Sequence, residues 1–541
     1  MPKKIRIRDL SLRDGQQALT AGLMTTADIE GLLPHYREAG FHIMEVWGGD
    51  IPLTAVSVLD ESPWHRLRVC AEAMKGSSLI GAVARGRNLF GDSPYPNFVL
   101  EGFYKEAVAD GLQVLRVFDP LNDMANIRDS VQMAVSLGGK ADAAVCYAVD
   151  PREEPRAKAP EKRGFLARLF GTRTEEETAD EKVFTDEYYV GKAKEMEAMG
   201  AKIITLLDPS GIITPSRVFS LMPKLKHAVR CDVDFHTRCT AGNGLASALT
   251  AIIKGVDIVD TCVWWFAGGT AAPPVELLRL FCERMEIELD ADFDAVASLR
   301  KAMEPLRRHL TDEDAQLPKD FDEALADMPR TVEAEFDRAI KAASDNEEEA
   351  LLDACRTIED YFGFPPVAAE ARREDVPAGV YASVVSALRA READDLLPEA
   401  LALVSKVRRD AGLVPLADPI GPVIGSQAAL LALDRRDGSD DYSERTAPFI
   451  RLIRGEFGNS PKPVSPDFRT LITGLPEQTL FDTASYKDPA NPTLEEYGGC
   501  KLAVSDEEFI LLELFPEAAT AFLRRRREED SGKAGDTPEI Q

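Results

Sequence analysis

Short β-rich segments alternate with helical segments along the first half of the chain, and this alternation limits the fold more than any other feature. Most of the β-rich segments are continuous apolar runs rich in valine and isoleucine, which is typical of strands buried on both faces. They lie at 5–11, 42–48, 78–86, 114–119, 143–149, 202–208, 231–237 and 258–268. Strands that alternate with helices form parallel sheets, and eight such units in about 280 residues predict a closed TIM (β/α)8 barrel over residues 1–290.

An open, doubly wound parallel sheet is the alternative to the barrel. That fold would need a phosphate-binding glycine turn directly after its first strand. The segment that follows the first predicted strand, LRDGQQ, has no such glycine pattern. The closed barrel is therefore the favoured α/β architecture.

The chain changes character at about residue 290, where strand patterns end and long helical patterns begin. Residues 291–525 are predicted to form a helical C-terminal domain, and residues 526–541 a disordered tail. A charged segment at 151–182 interrupts the barrel after its fifth strand and is longer than an ordinary connection. Disorder is its first interpretation. Docking of a partner is the second, because this insertion carries a basic cluster beside the barrel mouth, formed by Lys158, Lys162, Arg163, Arg168 and Arg173.

The composition argues against several classes of protein. A formal net charge of −28 argues against a nucleic-acid partner, since phosphate binding needs a basic surface. The 8 cysteines lie far apart without a CxxC pair, which is typical of reduced thiols in the cytoplasm. The N-terminus has no signal-peptide pattern, and no apolar run reaches the roughly 18 residues of a membrane span. We therefore expect a soluble, cytoplasmic enzyme.

Polar residues stand at the carboxyl ends of the predicted strands, where the active sites of TIM barrels lie. Each of them alone has a structural explanation, such as an ion pair or a hydrogen-bonded histidine. Their convergence on one barrel mouth favours a functional site, and two arginines there suit a substrate that carries a carboxylate. The candidates are Arg13, Asp14, Gln17, Arg85, His236 and Thr270.

These residues lie in motifs that resemble the carboxyltransferase family of biotin-dependent enzymes. The segment LSLRDGQQAL resembles the family's TLRDGxQS opening, and further matches are EAGFHIMEVWGGD, LRVFDPLND, GVDIVDT and GGTAAPP. PIGPVIGSQAAL and LIRGEFGNSPKPVSP resemble segments of the family's helical part. The family includes pyruvate carboxylase, the oxaloacetate decarboxylase alpha subunit and the pyruvate-side subunit of transcarboxylase. The matches run from about residue 3 to 525, interrupted at 151–182.

The resemblance implies an activity and assigns roles to four residues. The family moves a carboxyl group between biotin and a 2-oxo acid such as pyruvate or oxaloacetate. Arg13, Gln17 and Arg85 match the positions that bind the 2-oxo acid. Thr270 matches the threonine that carries a proton between biotin and the acceptor, a role that suits a hydroxyl group.

The metal ligands implied by the resemblance are only partly retained. The family holds a divalent metal with an aspartate after strand one, a carboxylated lysine on strand six and two histidines of strand seven. Asp14 and His236 match, but Leu207 stands at the lysine position and Arg238 at the second histidine. Because stable sites want at least three ligands, we predict a lost metal site in which Arg238 pairs with Asp14 and Leu207 fills the lysine's space. A bound metal with Cys239 as third ligand is the alternative.

The resemblance also implies partners. The chain has no Met-Lys-Met biotinylation motif, so the biotin is expected on a separate carrier protein that works with a biotin carboxylase subunit. A homodimer or larger assembly is expected. Three functions stay open: an active carboxyltransferase subunit, a catalytically degenerate scaffold or regulatory subunit of a carboxylase complex, and a lyase or aldol-type enzyme of the wider LRDG/HxH superfamily. The third is weaker, because such enzymes also need the HxH metal and lack the helical domain.

Overall fold

Eight parallel strands close into a barrel in the computed structural model, which describes residues 4–91, 94–151, 182–312, 315–366, 376–481 and 483–532. Each strand pairs with the next, and β1 pairs with both β2 and β8, which closes the sheet. The TIM barrel is thereby confirmed and the open sheet excluded. The strands are β1 (Lys4–Asp9), β2 (Ile43–Gly48), β3 (Leu79–Arg85), β4 (Val114–Phe118), β5 (Lys140–Cys146), β6 (Ile203–Asp208), β7 (Asp232–Thr237) and β8 (Ile258–Thr261).

Ten helices connect or follow these strands in the described part of the barrel. Their ends follow local sequence signals: α2 begins at a capping box between Thr25 and Asp28 and ends at Gly40 in the left-handed conformation. The insertion at 152–181 lies outside the described residues. The helices are α1 (Gln16–Thr20), α2 (Thr26–Ala39), α3 (Ile51–Ser57), α4 (Pro63–Ala73), α5 (Asn97–Ala109), α6 (Met124–Ser136), α7 (Asp186–Ala198), α8 (Pro215–Ala228), α9 (Gly244–Lys254) and α10 (Val275–Arg284).

The barrel interior contains a cluster of buried charges, which we call the interior ion cluster. Arg116 lies at its centre, with Nε 2.8 Å from Asp142 Oδ2 and Nη2 2.8 Å from Asp234 Oδ2. Each member comes from a different strand, and all are buried. Buried charges are stable only when paired, so this cluster ties six strands together through ion pairs. Its members are Arg8, Glu45, Arg116, Asp142, Asp234 and Asp260.

The described residues after the barrel are mostly helical and include three short strands. Strand β9 (Glu288–Asp290) pairs with the start of β1, and β10 (Thr493–Leu494) pairs with β11 (Cys500–Lys501). None of the described helices is long and apolar enough to cross a membrane. The helices are α11 (Phe293–His309), α12 (Phe321–Ala326), α13 (Arg330–Asp345), α14 (Glu348–Phe362), α15 (Ala378–Arg389), α16 (Leu397–Asp410), α17 (Ile420–Arg436), α18 (Ala447–Arg454), α19 (Pro466–Thr473), α20 (Asp506–Leu514) and α21 (Pro516–Asp530).

The sequence predicted one helical domain over 291–525, but the buried apolar side chains of this region fall into two clusters. Helices α11–α14, α20 and α21 share the core of the barrel. Helices α15–α19 form a second core of their own. The helical periodicity showed that these segments have an apolar face, and it could not show which partner each face packs on.

The predicted tail begins too early. Helix α21 continues to Asp530, so the tail predicted from residue 526 starts inside a helix. Arg527 explains the difference, because its Nε donates to the carbonyl of Leu502 at 3.3 Å and its Nη1 to Asp530 at 2.9 Å. Residues 533–541 lie outside the described residues.

Candidate active site

A cavity of about 420 Å³ opens at the carboxyl ends of the strands. Its floor and walls come from the barrel, and α15 and the loop before α17 cover one side with residues such as Pro377, Leu416 and Ala417. The structure brings all the candidate residues of the sequence together here. The lining includes Arg13, Asp14, Gln17, Arg85, Leu207, His236, Arg238 and Thr270.

A buried π-helical turn over Ser11–Gly15 presents Arg13 and Asp14 to the cavity directly after β1. The Arg13 guanidinium is largely occupied by protein carboxylates. Its Nε lies 2.6 Å from Glu45 Oε1, its Nη1 lies 2.7 Å from Asp14 Oδ1, and its Nη2 also contacts Glu45. Only the second hydrogens of its two terminal nitrogens remain for a ligand.

The side chain of Gln17 is fixed by the loop after β2. Its Nε2 donates to Asp50 Oδ2 at 2.8 Å, and its Oε1 accepts from the backbone N–H of Asp50 at 3.2 Å. Gly49 makes this approach feasible, because a Cβ at this position would lie 2.5 Å from Gln17 Oε1. Its φ of +58° also favours glycine. The WGGD sequence therefore sets the position of Gln17.

Arg85 and Thr270 lie on other sides of the same cavity. Arg85 ends β3 and is half-buried, and its Nη2 donates to the carbonyl of Phe90 at 2.7 Å. Thr270 follows the glycines after β8, and its exposed hydroxyl donates to the carbonyl of Ala18 at 3.1 Å. A guanidinium and an exposed hydroxyl from two different strand ends thus line one cavity, as an anion-binding group and a proton-transfer group would need to.

Asp14 is fully buried between two arginines. Arg13 Nη1 and Arg238 Nη2 both contact its Oδ1. Burial opposes ionisation, but the two guanidiniums outweigh it and hold the pKa of Asp14 below its ordinary value. The contact predicted between Arg238 and Asp14 is therefore present, and it joins two cations through one carboxylate.

His236 and Leu207 occupy the remaining positions that the resemblance assigns to a metal. His236 Nδ1 lies 2.7 Å from Asp260 Oδ2 of the interior ion cluster, and both side chains are buried. Leu207 packs in an apolar group with Cys146, Ala417 and the partly buried Phe118. Leu207 therefore presents an apolar wall to the cavity.

The side chains at these positions do not fit a metal site of the family type. One of the four presents a cation and another an apolar group, and neither can ligate. Among the described residues there is no group of three or more histidine, cysteine, aspartate or glutamate side chains that could hold a metal ion. Cys239 does not join them: its Sγ packs against Gly244, and burial raises the pKa of its thiol well above the ordinary value, which disfavours a thiolate.

Two residues that support the site were not predicted. Glu45 holds Arg13, and Asp260 holds His236. Both appear in the sequence as single acidic residues inside apolar strands, in IMEVWG and IVDT. A lone charge in a strand buried on both faces must be paired inside the barrel, and this signal could have found them.

Two protein-family models match the chain. One, described as a conserved carboxylase domain, matches residues 372–540, and one described as HMGL-like matches residues 154–303. The chain is 26% identical to a pyruvate carboxylase subunit of Methanocaldococcus jannaschii over 99% of its own length and 81% of that protein. It is 25% identical to the methylmalonyl-CoA carboxyltransferase 5S subunit of Propionibacterium freudenreichii subsp. shermanii, over 97% of this chain and 89% of that protein.

Solved structures give the same fold. The carboxyl transferase domain of Rhizobium etli pyruvate carboxylase with pyruvate superposes with a TM-score of 0.68, at 22% identity, covering 99% of this chain and 79% of that one. These matches span the barrel and the helical region together, in agreement with the ordered motifs of the sequence. The chain therefore resembles the carboxyltransferases of biotin-dependent enzymes over nearly its whole length.

Proposed function

We propose that the chain is a carboxyltransferase subunit that moves a carboxyl group between carboxybiotin on a separate carrier protein and a small 2-oxo acid such as pyruvate or oxaloacetate. One observation carries the proposal: Arg13, Gln17, Arg85 and Thr270, from the carboxyl ends of β1, β3 and β8, line a single cavity. A chain that had lost this function would be free to lose these side chains too.

The cavity suits an anionic acceptor beside a second, larger group. Arg85 offers a guanidinium for the carboxylate, and Gln17, whose amide is held by Asp50, lines the same cavity. A cavity of about 420 Å³ is in the range that binds drug-sized ligands, so a 2-oxo acid alone leaves space in it. Carboxybiotin would supply the carboxyl group, and its ring nitrogen would receive the proton that the acceptor loses. Thr270, exposed at this mouth, is the side chain that would carry that proton.

The proposal includes a degenerate metal site. Asp14 and His236 are retained, but Asp14 pairs with Arg238, and Leu207 stands at the lysine position. His236 pairs with Asp260 through Nδ1, so only its Nε2 could still ligate. No step of the proposed transfer therefore passes through a metal. The proposal also includes a biotin carrier and a biotin carboxylase subunit as partners, a homodimer or larger assembly and a place in the cytoplasm. The relatives named as subunits support the first of these.

A catalytically degenerate scaffold or regulatory subunit is the second candidate function. The observation that favours it is the engagement of Arg13, whose three nitrogens all contact protein carboxylates. Such a chain would still assemble with a carboxylase complex, because assembly depends on its surface and not on this cavity. The two functions differ in whether substitutions in the cavity change the rate of carboxyl exchange.

The test combines recovery of partners with an exchange assay. We expect the tagged chain to recover a biotinylated protein from its native source, and the recovered complex to exchange labelled carboxyl between oxaloacetate and pyruvate. Arg85→Gln should lower the exchange rate by about 10²-fold, since it removes a charged donor from the acceptor site. Arg217→Gln is the matched control, because Arg217 pairs with Asp186 on the outside of the barrel.

An intact complex with no exchange, or with exchange that Arg85→Gln leaves unchanged, would favour the scaffold. Recovery of no biotinylated protein would contradict both candidate functions.

A further inference from the structure

Resting on the proposed function, we propose that Arg238 binds the C2 oxygen of the acceptor and stabilises its negative charge, in the position where the family places a divalent metal. The acceptor is then an oxo acid bound between two guanidiniums, Arg238 and Arg85. The contacts of Arg238 distinguish it from Arg13, whose three nitrogens all contact carboxylates.

One terminal nitrogen of Arg238 is held by a protein carboxylate, and other donors of the guanidinium remain for a ligand. It follows β7, lines the cavity, and its Nη2 contacts Asp14 Oδ1. Its Nε is buried and has no hydrogen-bond partner among the described residues. A ligand in the cavity reaches the part of the side chain that is exposed, 26% of it, and the terminal nitrogens there can donate to an acceptor atom that the ligand brings.

Asp14 orients Arg238 through a single carboxylate oxygen. Its Oδ1 also accepts from Arg13 Nη1 at 2.7 Å, so one carboxylate serves two cations. Arg13 in turn is balanced by Glu45. The two cations and two carboxylates balance in charge, and Arg238 is the cation that reaches the cavity surface: its side chain is 26% exposed, compared with 8% for Arg13. Its guanidinium is held in place before a ligand arrives. Preorganised donors of this kind stabilise developing oxyanions most effectively.

Leu207 and Arg238 together replace the metal and its lysine ligand, and this affects both the net charge and the polarity of the site. A divalent cation with a carboxylated lysine carries a single net positive charge, and Arg238 with Leu207 carries the same. The apolar group around Leu207, with Phe118 and Ala417, also keeps water from this side of the cavity. A guanidinium interacts with an oxyanion more strongly where the surroundings are less polar. The two departures from the family pattern thus act together.

The test measures oxalate binding by titration calorimetry on the full chain after treatment with a chelator. Oxalate is a planar dianion that resembles the enolate of pyruvate, and its binding needs neither carrier nor carboxyl transfer. We expect Arg238→Met to weaken oxalate binding by about 10- to 100-fold, the loss of one charged donor, and Arg238→Lys to retain part of the affinity. Arg217→Met is the matched control, because its side chain is 23% exposed and paired with an aspartate, compared with 26% for Arg238.

The variant should fold, because Asp14 keeps its contact with Arg13. Oxalate binding that requires added Mn²⁺ or Zn²⁺, or that Arg238→Met leaves unchanged, would overturn the inference and leave the proposed function standing. Binding that depends on Arg238 in a complex that exchanges no carboxyl would retain the inference and remove the proposed function. Failure to bind oxalate with or without metal would contradict both.

Discussion

Replacement of Thr270 with valine is expected to lower the rate of carboxyl transfer by about 10²- to 10⁴-fold, the range for loss of a positioned proton-transfer group. The hydroxyl of Thr270 is exposed at the cavity mouth and is oriented by its hydrogen bond to the carbonyl of Ala18. Valine keeps the shape of threonine and removes the oxygen. The affinity for oxalate should therefore stay the same while kcat falls. Steady-state assays with the biotinylated carrier separate the two quantities.

Thr470→Val is the matched control for this substitution. Thr470 is also exposed, and its hydroxyl also donates to a backbone carbonyl, that of Pro466 at 2.8 Å. It lies on α19, far from the barrel mouth in sequence and outside the cavity lining. We expect wild-type kcat from this variant. A Thr270→Val enzyme with kcat within a few-fold of wild type would rule out the proton-transfer role, and a parallel loss of oxalate affinity would assign Thr270 to binding instead.

Replacement of Arg116 with methionine is expected to lower the free energy of unfolding by about 3–5 kcal/mol, the cost of breaking a buried ion pair by removing one partner. Arg116 is fully buried and contacts Asp142, Asp234 and Asp260. Without it, three buried carboxylates share Arg8 as their remaining cation in the interior ion cluster. Urea denaturation followed by far-UV circular dichroism measures the loss.

Arg6→Met on β1 is the control for the loss of an arginine from a strand. Arg6 pairs with Asp232 at 2.6 Å, but its side chain is 28% exposed. A solvent-exposed pair contributes at most about 1 kcal/mol, so the two variants should differ by several-fold in their effect on stability. Equal effects of the two substitutions would show that the interior ion cluster contributes no more to the free energy of unfolding than a surface ion pair does.

The strand order could be predicted because few folds accommodate apolar strands that alternate with helices. Strand ends were less predictable. The eighth run was expected to continue to residue 268, but β8 ends at Thr261 and Trp264–Phe266 form a 3-10 turn. Both are apolar and buried, so the pattern of side chains does not distinguish a buried strand from a buried turn.

The members of the site could be predicted because a TIM barrel brings its strand ends together. Which partners each side chain has in the folded protein could not be predicted. Arg13 was expected to hold the acceptor, and whether its donors are available depends on Glu45, which is distant in sequence and adjacent only in the folded barrel. The contribution of Leu416 and Ala417 likewise depends on how the second helical core packs over the barrel mouth.

Carboxyl exchange by the chelator-treated complex shows whether the site works without a metal. If Arg238 supplies the charge that a metal supplies in the family, exchange between oxaloacetate and pyruvate should proceed at an unchanged rate after exhaustive treatment with a chelator. Elemental analysis of the same sample should then find no tightly bound transition metal. Exchange that is lost on chelation and restored by Zn²⁺ or Mn²⁺, with one metal recovered per chain, would contradict the account.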